Sequence, residues 1–178
     1  LHLKSGAVQI EFYSGARVIL EGPSSLELIS ATAARLDYGK LSARVPEPAH
    51  GFKVYTPEMT VTDLGTEFGL NLQKAQPVKL EVFEGKVEFA TDATNQARLL
   101  TAGDGVKVSA RQVTPMQAAD RSAFLSAQEL ARRESAELRA RYRGWTQAGR
   151  SLDYDPSILV HLNFEDAHNL DRNLVNRA

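Results

Sequence analysis

The sequence predicts a mainly β protein that continues into one long α-helix and a short β tail. Short runs rich in β-branched and aromatic residues recur from about residue 5 to 113, and glycine or proline follows nearly every run. After Thr114 the composition becomes alanine-rich and charged, which favours a helix. We therefore expect a β domain at 1–113, a spacer helix at 114–145, and a linker with the first strands of a further domain at 146–178.

Alternation of apolar and polar residues marks the individual strands. Val78, Leu80 and Val82 alternate with polar residues, which places one face of a strand in a core and the other in water. Glycine takes a positive φ at little steric cost, so the glycines between the runs predict turns. The predicted turn glycines are Gly6, Gly15, Gly22, Gly39, Gly51, Gly65, Gly85 and Gly103.

A weak internal similarity bears on how the strands are arranged. The segments GARVILEG, AARLDYG, VKLEVFEG and ARLLTAG each place a basic residue, an aliphatic residue and then a glycine. Arg17 and Arg35 are 18 residues apart, and Lys79 and Arg98 are 19 apart. Repeats of this length are typical of stacked β-coils. The β domain is therefore predicted to be a solenoid-like stack or a twisted β-sandwich.

The start of the helix is predicted from a capping pattern. Thr114 occupies the N-cap position, Pro115 the first helical position and Gln117 the third, followed by alanine-rich sequence. The helix should run from Pro115 to about Tyr142.

The predicted helix carries a narrow apolar stripe and paired charges. Glu137 and Arg141 form an i,i+4 pair, as do Glu129 and Arg133. A thin stripe favours packing on one neighbour, and Glu134 with Ser135 interrupts the pattern that a dimerising coiled coil requires. A spacer helix lying against the β domain is therefore favoured. The stripe comprises Phe124, Ala127, Ala131, Leu138, Tyr142 and Trp145.

The last region is predicted to contain a polar linker and a strand. TQAGRSLDYDPS, residues 146–157, carries glycine and proline, and ILVHLNFED alternates as a strand does. Because the chain begins at Leu1 rather than at methionine and stops at Ala178 within a patterned segment, we expect it to be a piece of a longer protein.

The block TVTDLGTEFGLNL raises the question of catalysis. Asp63 and Glu67 bracket a glycine turn, as paired catalytic carboxylates of glycosidases sometimes do. No aromatic cluster flanks them, so a structural corner is favoured: Asp63 caps the turn, Gly65 turns it with a positive φ, and Thr66 and Glu67 begin the next strand. An enzyme with these two carboxylates remains the less favoured alternative.

Composition and motifs exclude several other classes. The chain has no cysteine, a formal charge of -1, and no phosphate-binding or nucleophile motif, so neither cofactor nor nucleic-acid binding is predicted. No metal site is predicted either, because the four histidines show no ligand spacing. They are His2, His50, His161 and His168.

Four blocks together resemble the FecR domain of FecR-type anti-sigma regulators, in the variant found in membrane-anchored regulators of Planctomycetes and Verrucomicrobia. These are the GxxxxxEGP turn containing Gly22 and Pro23, the GF-V-TP stretch beginning at Gly51, the DLGTEFG block, and VFEGKVE with Gly85. The resemblance spans roughly residues 5 to 110. It marks Gly22, Pro23, Asp63, Gly65, Thr66, Glu67 and Gly85 as a structural motif, with no catalytic, cofactor or metal residue.

The resemblance implies a non-enzymatic, β-rich envelope module that relays a signal across the inner membrane to an extracytoplasmic-function sigma factor. Implied partners are an envelope signalling protein or a transporter domain, with the module in the periplasm and its membrane segment outside this chain. The tail DPSILVHLNFEDAHNLDRNLVNRA is similar to the first strands of a laminin-G or concanavalin-like domain, which implies polysaccharide as a further partner. The alternative is an envelope scaffold or glycan-binding protein that uses the FecR fold as a platform.

Overall fold

The computed structural model describes residues 1–91, 96–109, 112–152 and 155–159. By compactness the chain divides into two units, Leu1–Leu130 and Ala131–Ala178. The first unit holds the strands and the core. In the described part of the chain, the twelve strands of the first unit belong to one sheet. They are β1 His2–Leu3, β2 Ala7–Glu11, β3 Arg17–Ser30, β4 Ala33–Arg44, β5 Lys53–Tyr55, β6 Met59–Asp63, β7 Glu67–Leu72, β8 Val78–Glu84, β9 Lys86–Thr91, β10 Ala97–Thr101, β11 Gly105–Ser109 and β12 Gln112–Pro115.

Strand β4 lies at the centre of the sheet. Its first residues pair in parallel with β5, its last residues pair antiparallel with β7, and β3 runs antiparallel along it. The order across the sheet is β10-β9-β6-β5-β4-β7-β8-β11-β12, and β1 and β2 add to β3. The sheet therefore connects strands that are distant in sequence, and the chain is mainly β as predicted.

The predicted solenoid is not confirmed. Among the described strand pairs only β4 with β5 is parallel, whereas a solenoid stacks its repeats in parallel. Arg17 and Arg35 lie on β3 and β4, the two antiparallel arms of one hairpin. The 18-residue interval between them therefore reflects a hairpin rather than a repeat of stacked coils.

Two glycines predicted as turns lie inside long strands instead. Gly22 lies within β3 and Gly39 within β4, so the expectation of turns there is wrong. The β3–β4 register shifts between Glu21 and Ser25, which is a bulge. Gly39 has φ +113, and a Cβ on it would overlap Ser24. Glycine is needed here because the two strands approach closely, not because the chain reverses.

The core fills the inside of the curled sheet with alternating side chains of many strands. Its phenylalanines, leucines and valines are almost completely buried, and Phe12 meets Phe52 edge to face with ring centroids 4.7 Å apart. The largest fully buried side chains are Phe52, Phe68, Phe89, Leu20, Leu26, Leu36, Leu41, Met59, Leu70 and Leu80.

The predicted start of the helix is wrong. Thr114 and Pro115 belong to β12, where Thr114 pairs with Lys107 and Pro115 with Val106. Pairing with the end of the sheet overrides the local capping pattern. Residues 116–126, which we call the strap, follow β12 and include a 3-10 turn at Arg121–Ala123.

The helix, α1, spans Ala127–Leu152. Its first turn is capped by Ser126, whose hydroxyl oxygen accepts a hydrogen bond from the Glu129 N–H at 3.0 Å. Ser126 and Glu129 have the spacing of a capping box, which was not predicted. At the other end α1 continues through residues 146–152, which were predicted to be linker. The predicted Glu137–Arg141 pair is confirmed at 2.8 Å.

The predicted strand at 158–166 and the laminin-G-like tail lie mostly outside the described residues. Among the residues that are described, no helix has both the length and the apolar character needed to cross a membrane.

Candidate functional site at the Asp63 corner and the strap

The DLGTEFG block forms a corner between β6 and β7. Asp63 is the last residue of β6 and Glu67 the first of β7. The Asp63 N–H donates to the carbonyl of Phe52 at 2.9 Å, and the Gly51 N–H donates to the Asp63 carbonyl at 3.0 Å. Backbone bonds therefore hold the segment around His50 against the end of β6. We call His50, Asp63, Gly65, Thr66 and Gly85 together the Asp63 corner.

The carboxyl group of Asp63 closes the turn. Its Oδ2 accepts a hydrogen bond from the Gly65 N–H at 2.7 Å, and the side chain is completely buried. The other oxygen, Oδ1, is buried and has no hydrogen-bond partner among the described residues, as is also true of Thr66 Oγ1. A buried carboxylate oxygen without a donor favours the neutral acid.

Two glycines allow the corner to close. Gly65 has φ +90, which confirms the predicted positive φ, and a Cβ there would overlap the His50 imidazole. Gly85, between β8 and β9, has φ +77, and a Cβ on it would overlap the Gly65 carbonyl. Both positions therefore require glycine for two reasons, the left-handed backbone and the lack of space.

Burial raises the pKa of Asp63 from 3.8 to about 6. The N–H of Gly65, the nearby His50 imidazole and the N–H of Thr66 each oppose the rise in this pKa, and burial prevails. A carboxyl group that titrates near pH 6 is often found at active sites. Here the group is fully enclosed and bonded to its own turn, so the geometry gives it a structural task.

Glu67 has a different task. Its Oε1 lies 2.6 Å from Nη2 of Arg121 in the strap, and its side chain is only 17% exposed. The Arg121 Nη1 donates to the carbonyl of Phe124 at 3.0 Å, and the guanidinium lies 5.3 Å from the centroid of the Phe83 ring. Glu67 thus holds the strap against the sheet, whereas Asp63 is bonded to its own turn.

Other charged side chains of the sheet hold the strap as well. Glu81 Oε2 accepts from the Asp120 N–H at 2.6 Å, and Glu21 Oε1 accepts from the Leu125 N–H at 3.0 Å. Lys40 donates to the Ala123 carbonyl. Each of these side chains satisfies a backbone group that the irregular strap cannot pair by itself.

Apolar contact completes the attachment of the strap. Phe124 is buried, and its ring centroid lies 5.4 Å from that of Phe83. A Cβ on Gly69 would overlap the Phe124 ring, so the glycine in β7 makes the space that the ring fills. The strap is therefore an integral part of the first unit.

Gly22 and Pro23 lie away from the Asp63 corner and line a cavity of about 560 Å³. This volume lies in the range of small-molecule sites. The bulge in β3 forms one wall, and the turn after β7 forms another. Polar groups in the lining come from Glu21, Tyr38, Lys40, Asn71, Gln73 and Lys74.

The sequence-predicted residues thus separate into three places. Asp63, Gly65, Thr66 and Gly85 meet at the corner, Glu67 holds the strap, and Gly22 with Pro23 lines the cavity. Within the described ranges no three His, Cys, Asp or Glu side chains are grouped to hold a metal ion. Sequence reasoning missed the strap, the cavity and the role of His50, because each depends on contacts between distant segments.

Three comparisons with known proteins bear on this fold. Residues 3–88 match the family model described as FecR protein. No curated protein matches the sequence. Two crystal structures of a "putative anti-sigma factor" from Parabacteroides distasonis, at 1.65 and 2.50 Å resolution, match the fold.

The two structural matches agree closely. The TM-scores are 0.56 and 0.57, and in both the identity is 17% and the match covers 65% of this chain. The match covers 58% of the Parabacteroides chain, so the present chain corresponds to only part of that protein. At this identity the likeness shows a shared fold. Residues 3–88, which contain the Asp63 corner, thus match the FecR protein family. The β-fold to which these residues belong is shared with the Parabacteroides protein.

Proposed function

We propose that this chain is the non-enzymatic signal-relay and binding module of a FecR-type transmembrane regulator that controls an extracytoplasmic-function sigma factor. The observation that carries the proposal is the FecR match over residues 3–88, which runs from β1 into β9. The description of the Parabacteroides structures as an anti-sigma factor supports the same class of function.

The chemistry of the site supports a binding role rather than catalysis. Asp63 is enclosed, and Glu67 is paired with Arg121. Both nominees for a catalytic pair therefore contribute to the conformation of the β domain and the strap. On this proposal the β domain is a rigid body that presents surfaces to a partner in the envelope.

The proposal includes a location and a division of the chain. The β domain together with the strap, residues 1–126, lies in the periplasm, the spacer helix Ala127–Leu152 follows it, and the residues after that helix begin a laminin-G or concanavalin-like domain. The full-length protein is tethered to the inner membrane by a segment outside this chain. Its partner is an envelope signalling protein or a transporter domain.

Deletion of the full-length gene tests the regulatory role. We expect transcripts of the regulon of the neighbouring sigma factor to change, and wild-type complementation to restore them. Complementation with Gly85→Val, which should unfold the β domain, is expected to fail, whereas Gly103→Ala should succeed because nothing lies within 4 Å of a Cβ at that position. An unchanged regulon in the deletion strain would refute the proposal.

A second candidate function is an envelope scaffold or glycan-binding protein that uses the FecR fold as a platform. The cavity favours it, because its lining includes the aromatic residue Tyr38 and the polar residues Asn71 and Lys74, which are residue types that bind sugars. Calorimetric titration with a panel of oligosaccharides tests this candidate. Binding that is lost in Tyr38→Ala and kept in Tyr55→Ala, outside the cavity lining, would support it.

A further inference from the structure

Helix α1 has an apolar seam with a seven-residue period. Ala131, Leu138, Trp145 and Leu152 are spaced seven residues apart. A seven-residue period is two turns of a helix that winds around another helix, and it defines these residues as the d positions of a heptad. The helix therefore has the sequence period of a coiled-coil strand over three heptads.

The a positions of the same register complete the seam. They fall on Gln128, Ser135, Tyr142 and Gly149. The rings of Tyr142 and Trp145 lie 5.9 Å apart, so neighbouring a and d side chains already contact each other along the helix. All the large members of the seam are exposed: Leu138 is 59% exposed, Tyr142 62% and Trp145 57%. Three exposed large apolar side chains in one row are unusual on a solvated helix.

The observed bounds of α1 change how this seam is interpreted. With a helix ending near Tyr142, Glu134 and Ser135 interrupt the apolar pattern. With α1 spanning Ala127–Leu152, the register is set by the C-terminal half, and Glu134 becomes a g position beside the seam. The polar residues at seam positions, Gln128 and Ser135, lie in the N-terminal half of α1.

The charges beside the seam favour pairing with a second copy of α1. In a parallel pair of identical helices, a g residue of one copy faces the e residue of the next heptad in the other copy. Here that places Glu134 opposite Arg139 of the second copy, twice by symmetry. In an antiparallel pair the e positions face each other and so do the g positions. Glu134 would then meet Arg141, but the arginines at 132 and 139 would also be brought together. The parallel arrangement is favoured because it pairs opposite charges without bringing these arginines together.

The side chains near the seam are arranged compatibly with this pairing. The Arg139 Nε donates to the Ser135 carbonyl at 3.1 Å, which leaves the terminal Nη groups outside that bond. Arg141, the next g residue, is paired with Glu137 on its own helix at 2.8 Å, which reduces repulsion along the seam.

We propose that α1 is a docking surface for a second copy of this chain, which it meets as a parallel, in-register coiled coil. A membrane surface is the less suitable occupant, because interfacial helices present a broad apolar face, whereas this seam is narrow. The inference goes beyond the proposed signal-relay function and does not depend on it. Three heptads make a weak pair, so the test must capture transient dimers.

Disulfide trapping provides that test because the chain has no native cysteine. In a parallel in-register pair, two d residues face each other, so Leu138→Cys should form a disulfide dimer of the whole chain under mild oxidation. Ala140→Cys is the matched control at an f position two residues away, and it should remain monomeric. Equal trapping of the two variants, or no trapping of Leu138→Cys, would overturn the proposal.

A charge reversal tests the orientation independently. Glu134→Arg should weaken the dimer of the cysteine-free chain by roughly tenfold in sedimentation equilibrium, because two attractive pairs become repulsive. Adding Arg139→Glu restores opposite charges and should restore the affinity. Failure of the second change to rescue the first would overturn the parallel register. Binding of a monomeric chain to phosphatidylglycerol vesicles, with no trapping of Leu138→Cys, would overturn self-association in favour of a lipid surface.

Discussion

Asp63 and Glu67 stand four residues apart in one block, yet their carboxyl groups are stabilised in different ways. At the Asp63 corner, the carboxyl group is enclosed and bonded to the turn's own backbone, and its pKa is raised to about 6. At the strap, the carboxyl group of Glu67 meets the Arg121 guanidinium at 2.6 Å. The difference shows that spacing and residue type do not define a catalytic pair, because the environment of each acid decides its task.

The largest effect is expected at the corner, from Gly85→Val. The change puts a β-branched residue at φ +77 and drives its Cβ into the Gly65 carbonyl. We expect a loss of more than about 3 kcal/mol in the free energy of unfolding, measured by urea denaturation. Gly65→Val should cost less, though still more than about 1 kcal/mol, because the exposed His50 ring can move aside.

Gly103→Ala is the control for these variants. Gly103 has φ +92, and no atom would lie within 4 Å of a Cβ added there. Gly103→Ala should therefore lower the free energy of unfolding only by the cost of placing alanine at a positive φ, about 1 kcal/mol. If Gly103→Ala and Gly85→Ala were equally destabilising, close approach at the corner would be unimportant.

The second effect is a pH dependence of stability that arises from the raised pKa of Asp63 at the corner. Because the folded-state pKa of Asp63 is about 6 and the usual value is 3.8, the folded state binds the additional proton between these pH values. The contribution of Asp63 to stability is fully present below pH 3.8 and is lost as the pH rises through about 6. We expect a loss of at most about 3 kcal/mol across that window.

Asp63→Asn tests this prediction, since the amide keeps an oxygen for the Gly65 N–H and carries no titratable proton. The free energy of unfolding, measured from about pH 4 to 7, should vary less with pH in this variant than in the wild type. Parallel curves for the two proteins would show that Asp63 is not the titrating group.

A smaller effect is expected at the strap. Glu67→Gln keeps the size of the side chain and removes the charge that faces Arg121, which is 36% exposed. We expect a loss of about 1 kcal/mol, because the pair is partly solvated. Hydrogen exchange at the strap amides should accelerate while exchange in β4 stays unchanged. Acceleration throughout the sheet would mean that the strap and the core unfold together.

The smallest effect is expected on α1. The Glu137–Arg141 pair is exposed on both sides, with side-chain exposures of 66% and 74%. Glu137→Gln should change the free energy of unfolding by only about 0.3 kcal/mol, detectable as a small loss of helical circular dichroism. A loss of free energy of unfolding as large as that expected for Glu67→Gln would contradict the view that burial determines how much each ion pair contributes to stability.

Much of the β region was predictable from local pattern. Runs such as VKLEVFEGKVEFA became β8 and β9 with Gly85 at the turn, because alternation and glycine are local signals. By contrast, Gly22 and Gly39 carry the same local signal and lie within strands. The sequence around them does not reveal that β3 and β4 continue past them side by side.

The sequence by itself determined the β character, the positive φ of Gly65 and the Glu137–Arg141 pair, since each depends on residues close together in the chain. The tertiary structure alone decided that Thr114 and Pro115 pair with β11 instead of starting the helix. It also decided that Asp63 is enclosed while Glu67 holds the strap. Pairing and burial between distant segments contribute more free energy than a capping pattern or turn preference, so they prevail where the two disagree.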